Sequence, residues 1–322
     1  MAGDDPPELK RRLVRRERVA RTLTFWLRPE FVLRVVSRFQ RLAGFDRAIA
    51  LASGALTATI PLTIVTSSFA SELGGKGTAD RIIDRYKLTG GGAEAVRDIF
   101  APPTGVSTSL GIIGFLFLMV ALLSFTRAVQ RLFEQTWELD ALSVRNTFNG
   151  LLWIVGLVLY LAVSGFLHAI LGRSRLELSA ALLTIPVTAA FLLWSGYVLT
   201  AKRLARPVLI PFAVVGAVLL GAYSVGATVY VPHLFDTYAT RYGVIGAVFA
   251  MISTFFIIMV ITVASAAAGR EIHDELDRIQ RGEKPAEDEV RRQWDEVTAQ
   301  ARSRWETLHT RMHDRGGTRH GP

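Results

Sequence analysis

The sequence contains no cysteine, and only 20% of its 322 residues are charged. The first absence excludes disulfides, thiolate catalysis and cysteine-ligated metal sites. The scarcity of charge is uneven. Six blocks hold no Asp, Glu, Lys or Arg at all, and they lie between Arg47 and Glu72, Asp98 and Arg127, Arg145 and Arg173, Glu177 and Lys202, Arg206 and Asp236, and Arg241 and Arg270. Each exceeds the roughly 20 residues a helix needs to cross hydrocarbon. A soluble domain would instead mix polar and apolar residues within each element.

Six spans follow: Ala48–Ala70, Ser107–Thr126, Phe148–Leu171, Leu178–Thr200, Pro207–Val231 and Tyr242–Ala268. A helix satisfies its own amides in lipid, and a barrel strand would show short alternation rather than continuous blocks. The expected fold is an all-α integral membrane protein. It divides into a basic cytoplasmic segment, 1–46, a six-helix transmembrane domain, 47–270, and a charged helical tail, 271–322. Residues 1–46 are too long and too charged for a signal peptide, so the first block reads as an uncleaved span.

Charge gives the orientation. The net charge is +9, which fits an anionic inner leaflet rather than nucleic acid once the hydropathy is considered. The N-terminal segment, the loop after span two (Arg127, Arg131, Arg145) and the loop after span four (Lys202, Arg203, Arg206) concentrate the bases. The alternate loops are balanced or nearly uncharged. The basic side is therefore the cytoplasm, with both termini there. Trp153, Trp194, Tyr197, Tyr230 and Tyr242 lie near span ends, where amphipathic rings favour the interface.

Three pieces stand outside the spans. In residues 24–43, Phe31, Val35, Phe39 and Leu42 share one helical face, and Arg34, Arg38 and Arg41 another. That pattern predicts a helix lying on the inner leaflet, or a connecting helix packed on the bundle. The loop 71–106 predicts a short helix near Ala79–Lys87, and Gly90-Gly91-Gly92 reads as a flexible break. In the tail, Val290, Trp294, Val297, Ala301, Trp305, Leu308 and Met312 recur at three- and four-residue spacing. They form an apolar stripe for a protein partner, a second copy of the chain or the membrane surface. Residues 314–322 read as disordered.

The spans carry few polar groups. Thr59, Thr63, Thr66 and Ser67 share a face of span one, with Pro61 among them. Span four repeats the pattern as Thr184-Ile185-Pro186-Val187-Thr188. Hydroxyls beside a proline either line a cavity for an amphiphile or bind neighbouring helices. Two halves of three spans each would have opposite orientation, as in inverted-repeat transporters. The candidate cavity lining is thus Thr59, Pro61, Thr63, Thr66, Thr184, Pro186 and Thr188. Arg127, Arg131 and Arg270 are candidates for lipid headgroups, or for ordinary positive-inside anchoring. Apart from tyrosines, His168 is the one titratable side chain within a span, and it reads as a hydrogen-bonded residue or a proton relay. No HExxH, no Ser-His-Asp logic and no carboxylate cluster occurs in a span. The expectation is a protein without catalytic residues, cofactor or metal, whose partners are membrane lipids.

Several phrases resemble the YihY/virulence factor BrkB family, once labelled ribonuclease BN, and its YhjD-like branch in particular. They are Ala55–Thr63, Ser124-Phe125-Thr126-Arg127-Ala128 with Leu132–Trp137, Tyr242–Ala247, and the small-residue run ending at Glu271. Where the family often reads Leu-Leu-Gly-Ala-Glu, this chain has Ala-Ala-Ala-Gly-Arg-Glu at 266–271. The resemblance covers about residues 40–275 and implies six inner-membrane spans in a bacterial envelope. It also implies a role connected with envelope lipid or lipopolysaccharide transport. A scaffold that binds partners through its cytoplasmic helices is the alternative. The ribonuclease label finds no support in these residues.

Overall fold

The computed structural model describes residues 29–73, 79–80, 83–84, 88–99, 108–141, 147–171 and 177–281. The described residues form helices and no strand. The chain divides into two compact units, Leu42–Arg270 and Met1–Arg41 with Glu271–Pro322.

In the larger unit, α2 is Gly44–Leu73, α3 Gly90–Ile99, α4 Thr108–Thr136, α5 Thr147–Leu171 and α6 Glu177–Leu199. The helix that follows, α7, runs Arg206–Arg281 and breaks at Gly243, whose backbone sits at φ 58°, ψ −137°. Only glycine reaches that region without strain. The break reverses the chain, so 206–242 and 244–270 return against each other. Tyr223 Oη donates to the Thr254 carbonyl across this hairpin, at 3.5 Å. Within the bundle α2 packs along α4 and α5 along α6, with α4 also touching α5 and α6.

Three helices are long and apolar enough to cross a membrane among the described residues: Phe115–Thr136, Phe148–Leu167 and Arg206–Arg281. The last covers two of the expected spans. The shorter apolar helix Leu183–Leu199 lies in the fourth. Their outward faces are apolar. Phe117 is 68% exposed and Val229 78%, and α5 presents Val155, Val158, Leu159, Leu161 and Phe166. A water-soluble monomer rarely exposes so continuous an apolar surface, whereas lipid solvates it at no cost.

The helices run on past the predicted spans. Arg127 and Arg131 stand on α4 rather than in a loop, because the helix continues to Thr136. The predicted loop 232–241 is helical. Residues 206–242 therefore extend about 55 Å, well beyond a hydrocarbon core of about 30 Å. The excess is used in packing. Val231, Leu234, Phe235 and Ala239 bury against Ala93, Ala95 and Val96 of α3, with Ala247, Ala250 and Met251 closing the cluster. The Gly90-Gly91-Gly92 run, expected as a break, is the first turn of α3. A Cβ on Gly92 would stand 2.8 Å from Asp236 Oδ1, so close approach accounts for that residue.

α4 and α6 end alike. Leu139 N donates to Glu134 O at 2.7 Å, and Lys202 N to Tyr197 O at 2.9 Å. Glu138 and Ala201 hold the left-handed position between, at φ 53° each. This is the Schellman arrangement, which usually places glycine there. Glu138→Gly and Ala201→Gly should each stabilise the protein by about 0.5–1 kcal/mol, as relieved strain outweighs the entropy of an extra glycine. Thermal unfolding in detergent reads the difference.

Candidate functional site

The polar groups of the larger unit collect along the α5–α6 seam and at the joined ends of α4 and α6. In the seam, Trp153 Nε1 donates to Ser195 Oγ at 2.9 Å. Two turns along, Tyr160 Oη and Thr188 Oγ1 share a hydrogen bond of 3.0 Å. Trp153 and Ser195 are buried, as are Thr184 and Thr188, which lie one turn apart on α6. Phe191 fills the interval, stacked on Tyr160 with ring centroids 4.4 Å apart. In a bilayer such bonds pair groups that hydrocarbon would leave unsatisfied. The α5 residues Trp153 and Tyr160 face inward at helical spacing, Ile154 is buried beside them, and Val155, Val158, Leu159, Leu161 and Phe166 face outward.

At the joined ends, Glu134 is only 5% exposed. Gln130 Nε2 donates to its Oε1 at 2.8 Å, and Arg203 Nη2 approaches the same oxygen at 3.6 Å. Arg203 also donates from Nη1 to the Asp140 carbonyl at 2.7 Å and from Nε to the Thr200 carbonyl at 3.0 Å. One guanidinium thus closes the end of α6, ties it to the residues after α4 and partners a buried carboxylate. A buried carboxylate needs such company, since desolvation costs several kcal/mol on the order of a lost ion pair. Beside it, Trp137 stacks on Phe133 with centroids 5.6 Å apart, and both rings meet Phe212 of α7 edge-on. Arg206 lies over the Tyr197 ring at 5.2 Å.

The predicted site residues fall into groups. Thr184 and Thr188 face inward, and Thr188 finds Tyr160. Pro186, between them, is exposed. Thr59 donates to the Ala55 carbonyl of its own helix at 2.8 Å. The side chains of Pro61, Thr63, Thr66 and His168 lie outside the described residues, as do residues 1–28 and 282–322. Arg127 and Arg131 are exposed one turn apart on α4, and Arg270 is half-buried. Tyr160, Ser195 and Arg203 were not among the predicted site residues. Tyr160 and Ser195 stand in uncharged stretches that give no spacing signal, and Arg203 read as one of three anchoring bases.

The smaller unit holds a second polar assembly. Here α1, Pro29–Arg41, meets the end of α7. Arg34 Nη2 donates to Glu275 Oε2 at 3.0 Å, and its Nε lies 3.8 Å from Glu271 Oε2. Arg38 donates to Glu271 from Nε and to Asp274 Oδ2 from Nη2, the latter at 3.1 Å. Arg34, Ser37, Glu271 and Glu275 are buried. Arg34 and Arg38 of α1, read from sequence as the charged face of a helix on the inner leaflet or of a connecting helix, are turned onto carboxylates. Glu271 is the acid that closes the 266–271 run.

Apolar outward faces, self-satisfied helices and buried polar seams define a helical membrane protein. A family model described as Virulence factor BrkB matches residues 35–290. The chain belongs to the virulence factor BrkB family. Comparison with curated proteins and with solved structures finds no match.

Proposed function

We propose that the protein spans a bacterial plasma membrane six times, with both ends in the cytoplasm, and assists the movement or accommodation of an envelope lipid or similar amphiphile. The reading needs no covalent chemistry and no cofactor. The observation that carries it is the α5–α6 seam, where the hydroxyls of Tyr160, Thr188 and Ser195 follow one another between two apolar helices. A polar headgroup needs such a succession of exchangeable partners while its tails stay in lipid. Thr59, Pro61, Thr63, Thr66, Thr184 and Pro186 extend this candidate lining, and Arg127, Arg131 and Arg270 are its candidate headgroup contacts. The clasp supports the topology. Two segments joined by side chains share one side of the membrane, so an even number of crossings separates Arg38 from Glu271.

Reconstitution tests the function. Vesicles holding the purified protein and a fluorescent phospholipid are treated with dithionite, which bleaches the outer leaflet. Loss of the inner-leaflet signal is the expected result, and bleaching identical to that of protein-free vesicles would remove the proposal. Tyr160→Phe should slow the exchange and lower stability by about 0.6 kcal/mol, at most about 1.7, the range of hydrogen bonds between membrane helices. Melting temperature in detergent gives the second number.

A further inference from the structure

With the arginine side of α1 covered by the 271–275 carboxylates, the opposite side is bare among the described residues. Val32 and Val36, one turn apart, are 57% and 39% exposed. A helix lying in the lipid interface keeps its cations beside its apolar face, at headgroup level. Here Arg34 and Arg38 point the other way, onto Glu271, Asp274 and Glu275. Among the described residues, the side that bears Val32 and Val36 carries no charge to hold it on an anionic leaflet.

The chain supplies a better occupant. The helix that α1 clasps is described as far as Arg281, and the sequence then places Gly282 and Pro285. Glycine just past a helix and proline soon after let a chain turn back. Beyond the turn, Glu287, Asp288 and Glu289 stand where a new helix would begin, as its dipole favours. Then comes the stripe Val290, Trp294, Val297, Ala301, Trp305, Leu308. As a helix, 290–312 would span about 34 Å, against about 20 Å for α1, so it is long enough to cover that helix. The acidic start of this stretch complements the bases that precede α1, from Lys10 to Arg28.

We propose that the tail folds back as a helix whose Trp294–Leu308 stripe packs on the Val32–Val36 face of α1. The two ends of the chain then form a three-helix module, held by ion pairs on one side of α1 and by apolar packing on the other. The proposal does not depend on what the bundle carries.

The absence of cysteine makes the test direct. A spin label at Val36→Cys is placed in the full chain in lipid nanodiscs, and its collisions with oxygen and with a nickel chelate are measured. Shielding from both reagents is expected. In Trp294→Ala/Trp305→Ala, and in a chain ending at Pro285, nickel collisions should rise several-fold. High oxygen collisions that neither change affects would mean lipid covers the face and overturn the proposal. High nickel collisions in the full chain would overturn it too. As a second measurement, Val36→Cys is paired in turn with Val290→Cys, Val297→Cys and Leu308→Cys under oxidation. A bridge within one chain is expected. Bridged dimers, pointing to a second copy, or no bridge at any pair would refute it.

Discussion

Glu271→Leu is expected to destabilise the smaller unit by about 3 kcal/mol, toward the lower end of the cost of orphaning a buried charge. Glu271 accepts from Arg38 and lies beside Arg34, with all three side chains at most 15% exposed. Removing it strips Arg38 of its nearest partner, and Asp274 and Glu275 compensate in part. Glu271→Arg should be worse, because it sets three cations together. The combination Arg38→Glu with Glu271→Arg should recover part of the loss, and Arg38→Leu with Glu271→Leu more of it, since two apolar groups avoid the desolvation that charges suffer. Raising the salt should change little, because screening acts weakly on buried pairs. Unfolding of the four variants in detergent, followed with limited proteolysis around α1, gives the order. Equal stability of Glu271→Leu and the parent would show that the carboxylate is dispensable.

The same clasp shows where reading the sequence stops. The apolar blocks announced the class of fold, because lipid demands uncharged helices and little else in a chain produces them. The blocks end at charge, but the helices do not. Arg127, Arg131 and Glu134 follow at i, i+4 and i+7, a spacing a helix can carry, and α4 does continue. In 232–241, Asp236 and Arg241 suggested a loop, yet Leu234, Phe235 and Ala239 seal that helix onto α3. The glycine run failed for a related reason, since tertiary contact with Asp236 outweighs the poor helix propensity of three glycines. Within the site, Thr184 and Thr188 were legible as hydroxyls beside a proline. The partner of Thr188, Tyr160, was not, because periodicity marks which face is polar but not which neighbour it meets. Arg34 and Glu275 are 241 positions apart, and nothing local links them.

Substitutions at the glycines of α7 should divide sharply by what a side chain would meet. A Cβ on Gly269 would stand 2.5 Å from the Cα and 2.6 Å from the N of Phe212. Those are backbone atoms of a packed helix, so no rotamer change relieves the contact, and the two arms of the hairpin would have to separate. Separation would also disturb Phe133 and Trp137, whose rings lean on Phe212. Overpacking typically costs about 1–3 kcal/mol where side chains can yield, and more where they cannot. Gly269→Leu is therefore expected to leave no monodisperse protein, and Gly269→Ala to lose at least about 3 kcal/mol. Gly246→Ala should behave alike, with its Cβ 2.0 Å from the Tyr238 carbonyl oxygen just after the reversal at Gly243. Gly226 provides the control on the same helix. Nothing lies within 4 Å of its Cβ position, so Gly226→Ala should gain about 0.5–1 kcal/mol by removing a flexible residue from a helix interior. Yield and melting temperature in detergent rank the variants. If Gly269→Ala melted with Gly226→Ala, the close crossing of the arms at Phe212 would be wrong, and with it the packing that brings the two halves of α7 together.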